Sequence, residues 1–478
     1  MTDMEQVRDQ LASIGQDHLL RMYHMLTPGQ QGSLLNQIKA IDLDQVPIWV
    51  QQYVTADGGA HVPDRVEPPT WYPRDPNEAG RSYDADHFRA AGEAAIRAGK
   101  IAVFCVAGGQ GSRLGWDAPK GTFPATPIHK KPLFQVFAEQ ILAAQMRYGT
   151  VIPWYIMTSP LNHQATVTFF DEHQYFGLDR GTVTFFRQGV MPSFDLETGR
   201  MLLASSCELA VNPDGHGGSL RALWVSGSID DMKQRGIEHI SYIQVDNPLA
   251  RAVDPLFIGL HLTAPDSSAE MSSKMVRKTG PFEKLGNFCH VDGKTTIIEY
   301  SDLPAELAEQ RDDQGHLRFA AGSIAIHLIG IGFIEQLNAA ASGFGLPFHR
   351  AVKAVPYYDL QTQQLIEPSE PNAVKLEMFV FDALPLCRSS IVLETDRGEE
   401  FAPIKNPSGV DSAESARALQ LERAANWLEQ AGVKVERDDA TGQPLAAIEI
   451  SPLTALEAAD LKQTTLPTSI SAGDTVEL

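Results

Sequence analysis

The chain carries a run of small and basic residues suited to holding phosphate. Residues 107–115 read Ala107-Gly108-Gly109-Gln110-Gly111-Ser112-Arg113-Leu114-Gly115, and Trp116-Asp117-Ala118-Pro119-Lys120-Gly121 follows. Glycines placed directly after a buried strand let backbone N–H groups come close to a phosphate, so nucleotide binding is the chemistry this loop suits. Arg113 and Lys120, seven positions apart, can clamp a triphosphate from two sides and neutralise charge while a phosphate is transferred. Two common nucleotide-binding patterns each fail here by one residue. The dinucleotide pattern G-x-G-x-x-G begins at Gly109 and Gly111 but meets Leu114 where its third glycine belongs, and Gly115 comes one residue late. Its acidic partner, expected about 20 residues on, would have to be Glu139, which lies inside an amphipathic helical stretch. The P-loop needs Gly-Lys-Ser/Thr, whereas Lys120 precedes Gly121. A lone pair of glycines would be an ordinary turn; the length of the composite argues against that.

The whole composite, closed by a lysine in a Pro-Lys-Gly turn, resembles the eukaryotic-type UDP-sugar pyrophosphorylases, and within them the UDP-N-acetylglucosamine branch. Further blocks in the same order extend the resemblance over roughly residues 10 to 460. It implies a Rossmann-like, GT-A-like α/β nucleotidyltransferase fold with a central mixed sheet flanked by helices. It also implies an enzyme that joins UTP to a sugar 1-phosphate, with Mg²⁺, and releases pyrophosphate. Ala107, Gly108, Gly109 and Gly111 would then cup the phosphates, with Arg113, Lys120 and Lys405 neutralising their charge and Lys375 assisting at the nucleotide. Gln188, in Phe185-Phe186-Arg187-Gln188-Gly189, falls on the uracil-reading glutamine; an amide suits a base edge that offers one donor and one acceptor. Gly215 and His216 match positions lining the nucleotide and sugar pocket, and Asp246 matches the carboxylate that holds Mg²⁺. Gly286, Glu299, Tyr300 and Phe381 resemble the sugar-binding wall. Taken singly, an aspartate ending a strand is a turn residue, Phe379-x-Phe381 is core, and a loop lysine is solvated.

Two positions depart from the acetylglucosamine branch. His216 stands where that branch has asparagine, giving the Gly-His-Gly seen in glucose-type relatives, and Ser323 stands where an asparagine faces the acetamide. A hydroxyl lacks both the reach and the donor-plus-acceptor pair of an amide. N-acetylglucosamine 1-phosphate is the favoured substrate, with glucose or another hexose 1-phosphate as the alternative. A non-catalytic nucleotide-sugar sensor is the non-enzyme reading, against which the joint presence of Arg113, Lys120 and Asp246 speaks.

These residues need a frame. Ile101–Val106 is a continuous apolar run ending in glycine, as expected of a doubly buried parallel strand, and similar runs recur at 153–158, 239–247 and 322–329. Helical patterns between them, such as Leu133 to Arg147, predict an open α/β sheet with ligands at the carboxyl ends of its strands. The reading divides the chain into a helical segment 1–98, a catalytic segment 99–406 and a small segment 407–478. In the first, Thr27-Pro28-Gly29 breaks the helical pattern and 54–86 is loop-like; in the last, a helix from Ser412 to Ala431 precedes short polar segments and a frayed tail from about Lys462. The basic residues of 275–284 read as surface charge. With 39 basic against 60 acidic residues, a net charge of −21 excludes a broad nucleic-acid or anionic-membrane surface. Cys105, Cys207, Cys289 and Cys387 lack metal-site spacing and read as buried free thiols. A charged start without an apolar core, and no apolar run of spanning length, predict a cytoplasmic protein without signal peptide or membrane span.

Overall fold

The computed structural model describes residues 3–55, 65–78, 80–339 and 344–478, so 56–64 and 79 of the loop-like stretch lie outside the described residues. The chain gathers into two compact units, each discontinuous in sequence. One comprises Met1–His61, Gln188–Arg221 and Gly345–Asp382; the other comprises Val62–Arg187, Ala222–Phe344 and Ala383–Leu478.

The larger unit is built on a nine-stranded mixed sheet. Its strands are β1 (Ile101–Val106), β2 (Trp154–Thr158), β3 (Val183–Arg187), β4 (His239–Gln244), β5 (Met271–Arg277), β6 (Asn287–Val291), β7 (Lys294–Ile298), β8 (Ala321–Gly330) and β9 (Val392–Glu394). The order is β7-β6-β8-β4-β1-β2-β3, with β5 pairing both β8 and β9. β3, β2, β1 and β4 run parallel, so their carboxyl ends, and the loops that follow β1 and β4, share one edge. Burial on both faces explains the unbroken apolar runs. Val103 and Cys105 pack with Phe134 and Phe137 of the helix Leu133–Tyr148. Toward the other face, the Tyr155 hydroxyl donates to Asp231 of the helix Ser228–Gln234 at 2.6 Å.

The helix Ala85–Arg97, capped by Asp84, meets the helix Pro255–Thr263 backbone to backbone. A Cβ on Gly92 would lie 1.8 Å from the Pro255 carbonyl oxygen. Since main chain cannot swing aside as a side chain does, Gly92→Ala is expected to destabilise by about 3 kcal/mol or more. Denaturant unfolding would measure this, and an unchanged midpoint would contradict it.

Near the carboxyl end, the helix Ala413–Gln430 begins at Ser412, whose Oγ accepts from Ser415 N at 3.1 Å. It packs Ala425, Trp427 and Leu428 against Ile448, Leu461 and Ile470. The tail beyond Lys462 is not frayed: Ser469–Ile470 and Thr475–Glu477 pair in parallel with Lys434–Val435 and Ala447–Glu449. Buried Ile470 gives that segment an anchor, a signal too short for periodicity to reveal.

In the smaller unit, the helices Asp3–Ser13 and Pro28–Lys39 share an apolar cluster with a three-stranded sheet of Phe194–Asp195, His349–Lys353 and Ala373–Glu377. Thr27-Pro28-Gly29 starts a helix: Thr27 and Gln30 form a reciprocal capping box, with Pro28 in the first turn. Among the described residues no helix is long and apolar enough to cross a membrane. Cys105, Cys289 and Cys387 are buried, but Cys207 is only half-buried.

Candidate active site

In the larger unit, the glycine loop leaves β1 at the carboxyl edge. Its path is fixed by its own backbone: Gly111 N donates to the Ala118 carbonyl at 3.0 Å and Lys120 N to the Gly109 carbonyl at 3.1 Å. Two glycines are demanded by packing. A Cβ on Gly111 would sit 2.7 Å from Trp116 Cβ, and one on Gly121 2.1 Å from the Phe134 ring. Gly109 is different, meeting only Lys120 Cδ at 4.0 Å, so its Cα faces open space. Asn162 was not singled out by the sequence, yet its Nδ2 donates to the Ala107 carbonyl at 2.9 Å and the Gly109 carbonyl at 3.2 Å. Fully buried and holding Ser159 N at 2.8 Å through Oδ1, it ties the loop to the end of β2.

The register β1↔β4 pairs Val106 with Gln244, which brings Asp246 beneath the loop. Lys120 Nζ donates to Asp246 Oδ2 at 3.2 Å, and these side chains are 16% and 13% exposed. Burial pushes the Asp246 carboxyl up, but the charges of Lys120 and Lys405 and the bond from Lys120 outweigh it and hold the pKa below the ordinary value. Lys405 is delivered by main chain: Ile404 N donates to the Asp246 carbonyl at 2.9 Å, and Lys405 N to the Asp411 carbonyl at 2.6 Å. Buried Asn247, also missed from sequence, fastens the preceding turn, donating to the Glu400 carbonyl at 2.7 Å and accepting from Ala402 N at 3.0 Å. Arg113 lies exposed on the turn Ser112–Leu114 without an ion pair among the described residues. The result is a cationic rim around one ionised carboxylate. Among the described residues no cluster of three or more His, Cys, Asp or Glu side chains could hold a metal by itself.

Gly286, Ser323 and Glu299 come together on β8 and the turns beside β6 and β7. Ser323 N donates to the Gly286 carbonyl at 2.8 Å, and a Cβ on Gly286 would meet Glu299 Oε1 at 3.4 Å and Ser323 Cβ at 3.9 Å. Tyr300 is 46% exposed. Lys278 is not surface charge: it is buried and donates to Asn287 Oδ1 at 2.6 Å and the Pro281 carbonyl at 2.8 Å, and burial lowers its pKa. Glu139 is also occupied, buried against Lys131 at 2.8 Å.

The smaller unit assembles a second set. The Gln188 side chain is buried and its Nε2 donates to the Gly215 carbonyl at 3.0 Å. Gly215 has φ +82°, and a Cβ there would meet the Met378 carbonyl oxygen at 2.3 Å, so glycine is required. His216 Nδ1 accepts from Val380 N at 3.1 Å, and its ring stacks on Phe379 with centroids 5.2 Å apart and meets Phe381 at 5.8 Å with the ring planes tilted by 56°. Phe379 and Phe381 follow the strand Ala373–Glu377 rather than forming one. An Nδ1 that accepts leaves the neutral ring's proton on Nε2. Lys375 sits half-buried on that strand, opposite Ala351.

Residues 69–449 match the family described as UTP--glucose-1-phosphate uridylyltransferase. A Saccharomyces cerevisiae protein named UDP-N-acetylglucosamine pyrophosphorylase is 35% identical, covering 91% of this chain and 93% of its own. A Mus musculus protein named UDP-N-acetylhexosamine pyrophosphorylase-like protein 1 is also 35% identical, covering 95% and 93%. The crystal structure of the uridine diphosphate N-acetylglucosamine pyrophosphorylase from Trypanosoma brucei superposes with a TM-score of 0.80 at 25% identity, covering 99% of this chain and 98% of that one. A family match spanning residues 69–449, together with relatives 35% identical over more than nine-tenths of the chain, places this protein in the UTP--glucose-1-phosphate uridylyltransferase family.

Proposed function

We propose that the protein transfers a uridylyl group from UTP to a sugar 1-phosphate, N-acetylglucosamine 1-phosphate being preferred. The observation that carries the reading is the buried Lys120–Asp246 pair under the glycine loop, at the edge where parallel strands end. The relatives' names direct the choice of sugar.

In this reading Gln188 and the Gly215 backbone recognise uracil, while Ala107, Gly108, Gly109 and Gly111 present backbone to the phosphates and Lys375 supports the nucleotide. The sugar phosphate oxygen attacks the α-phosphorus in line; a new O–P bond forms as the bond to the β-phosphate oxygen breaks, and pyrophosphate departs. The attacking oxygen is already anionic, so no protein base is needed. Arg113, Lys120 and Lys405 act by placing positive charge where negative charge accumulates. The donor set fits Mg²⁺, which takes few protein carboxylates and completes its shell with water and substrate phosphates; Asp246 would hold the ion, which when bound supplies further charge neutralisation. Glu299, beside Gly286, has a carboxylate that can accept from sugar hydroxyls, with Gly286, Ser323, Tyr300, His216 and Phe381 completing the sugar contacts. A cytoplasmic location belongs to the same reading, in keeping with four free thiols.

His216 and Ser323 favour a second reading in which glucose 1-phosphate is the better substrate. A panel of glucose, galactose, glucosamine and N-acetylhexosamine 1-phosphates, assayed with UTP and Mg²⁺ by pyrophosphate release, separates the two. Highest kcat/KM with N-acetylglucosamine 1-phosphate is expected. Preference for glucose 1-phosphate would overturn the sugar assignment alone, and tight UDP-sugar binding without pyrophosphate release would make the protein a sensor.

A further inference from the structure

Lys274 is a buried cation to which the proposed chemistry gives no task. It lies in the middle of β5 and is 1% exposed, as is its partner Glu400. An ammonium has three hydrogens to donate, and each finds an acceptor: Glu400 Oε1 at 2.7 Å, Glu400 Oε2 at 2.6 Å and Asp254 Oδ2 at 2.6 Å. Thr395, just past β9, donates its hydroxyl to Glu400 Oε2 at 2.6 Å. Asp254 Oδ1 accepts from Leu256 N at 3.0 Å, at the start of the helix Pro255–Thr263. Apolar residues of the same volume often hold a core as well as a buried ion pair does, because taking two charges out of water costs about what their attraction returns. What the pair adds is a single geometry for the chain it holds.

That chain leads into the active site. Glu400 begins the segment Glu400-Phe401-Ala402-Pro403-Ile404-Lys405, of which 400–404 are buried and Lys405 is exposed. Asn247 bonds the Glu400 carbonyl and the Ala402 N–H, and Ile404 N donates to the Asp246 carbonyl at 2.9 Å. These bonds tie the segment to the loop that carries Asp246, whereas Lys274 ties it to the sheet. Pro403 fixes its own φ and restricts Ala402 before it, so a displacement at Glu400 is passed along the segment to Lys405 instead of being absorbed on the way.

We infer that Lys274, acting through Glu400, is a positioning residue that sets where the Lys405 side chain meets the phosphates. The inference rests on the reading that Lys405 neutralises charge there.

The test removes the pair as a unit. Lys274→Met together with Glu400→Leu deletes one positive and one negative charge, so the buried charge stays balanced, and Asp254 keeps its bond to the helix. Turnover with UTP, N-acetylglucosamine 1-phosphate and Mg²⁺ is measured by pyrophosphate release in the pair variant, in Lys405→Ala and in the three substitutions combined. Removing the pair is expected to lower kcat about tenfold while Lys405 is present, as a displaced charge-stabilising group does, and by less than about twofold once Lys405 is alanine. A role in the fold alone would lower kcat equally in both backgrounds; that result would overturn the inference, as would wild-type kcat in the folded pair variant. If the pair variant does not fold, Glu400→Gln, which keeps the volume and still accepts from Lys274, takes its place in the same cycle. Wild-type kcat in Lys405→Ala would overturn the reading of Lys405 itself.

Discussion

Replacing Lys120 by alanine is expected to lower kcat by about a hundredfold to a thousandfold, the scale of one preorganised charge-stabilising group. Lys120 has two jobs in the same place. In the proposed reading it is a cation for the phosphates, and its ammonium donates to Asp246 Oδ2 at 3.2 Å in a site where both side chains are at least four-fifths buried. Without it, burial still pushes the Asp246 carboxyl up while one of the two opposing charges is gone. The acid limb of the pH–rate profile should therefore move to higher pH in the variant. The KM for UTP should change far less, because base recognition is assigned to Gln188 and Gly215. Steady-state kinetics across pH would show both effects, and wild-type turnover in a folded Lys120→Ala protein would remove Lys120 from the chemistry.

Asp246→Asn is expected to cost about a thousandfold in turnover and to abolish the response to added Mg²⁺. The amide keeps the volume but not the charge, leaving Lys120 without its anion and removing the charge that Lys405 also acts on. Stability should respond with a defined sign. Since the folded pKa of Asp246 lies below its ordinary value, the carboxylate stabilises the fold above the ordinary carboxylate range, and that contribution is lost as pH falls through it. Asp246→Asn should accordingly melt lower than wild type near neutral pH, with the gap narrowing in acid. Pyrophosphate release against a Mg²⁺ titration, with thermal melts alongside, checks both parts. Unaltered metal dependence in a folded variant would take Asp246 out of metal binding.

The loop was legible from sequence because its demands are local. A buried strand must be apolar on both faces, and a tight turn against Trp116 or Phe134 admits only glycine at Gly111 and Gly121; both requirements are written into neighbouring residues. Gln188 and Asp246 were found through the resemblance, since a single amide or carboxylate in a loop has no pattern of its own. Asn162 and Asn247 escaped. Each acts on backbone or side chain brought near by folding, and an asparagine bonding two distant carbonyls looks in sequence like any turn residue. Lys278 misled for the converse reason: a lysine between polar neighbours signals solvent, and only the Asn287 and Pro281 oxygens that meet it explain its burial.

By itself the sequence determined the strands and helices of the α/β frame and the glycine loop that leaves the first strand, since periodicity and composition encode strands, helices and turns one at a time; that the strand Ala321–Gly330 runs antiparallel to its neighbour was set by tertiary pairing. Tertiary structure alone decided three further things. It made two units from interleaved segments, because strands such as Ala373–Glu377 and helices such as Pro28–Lys39 complete one apolar core from opposite ends of the chain. It ordered the carboxyl-terminal strands around Ile470. And it set the charge of the site, because whether Asp246 is ionised depends on how deeply it is buried and on which lysines reach it, neither of which is a property of sequence neighbours.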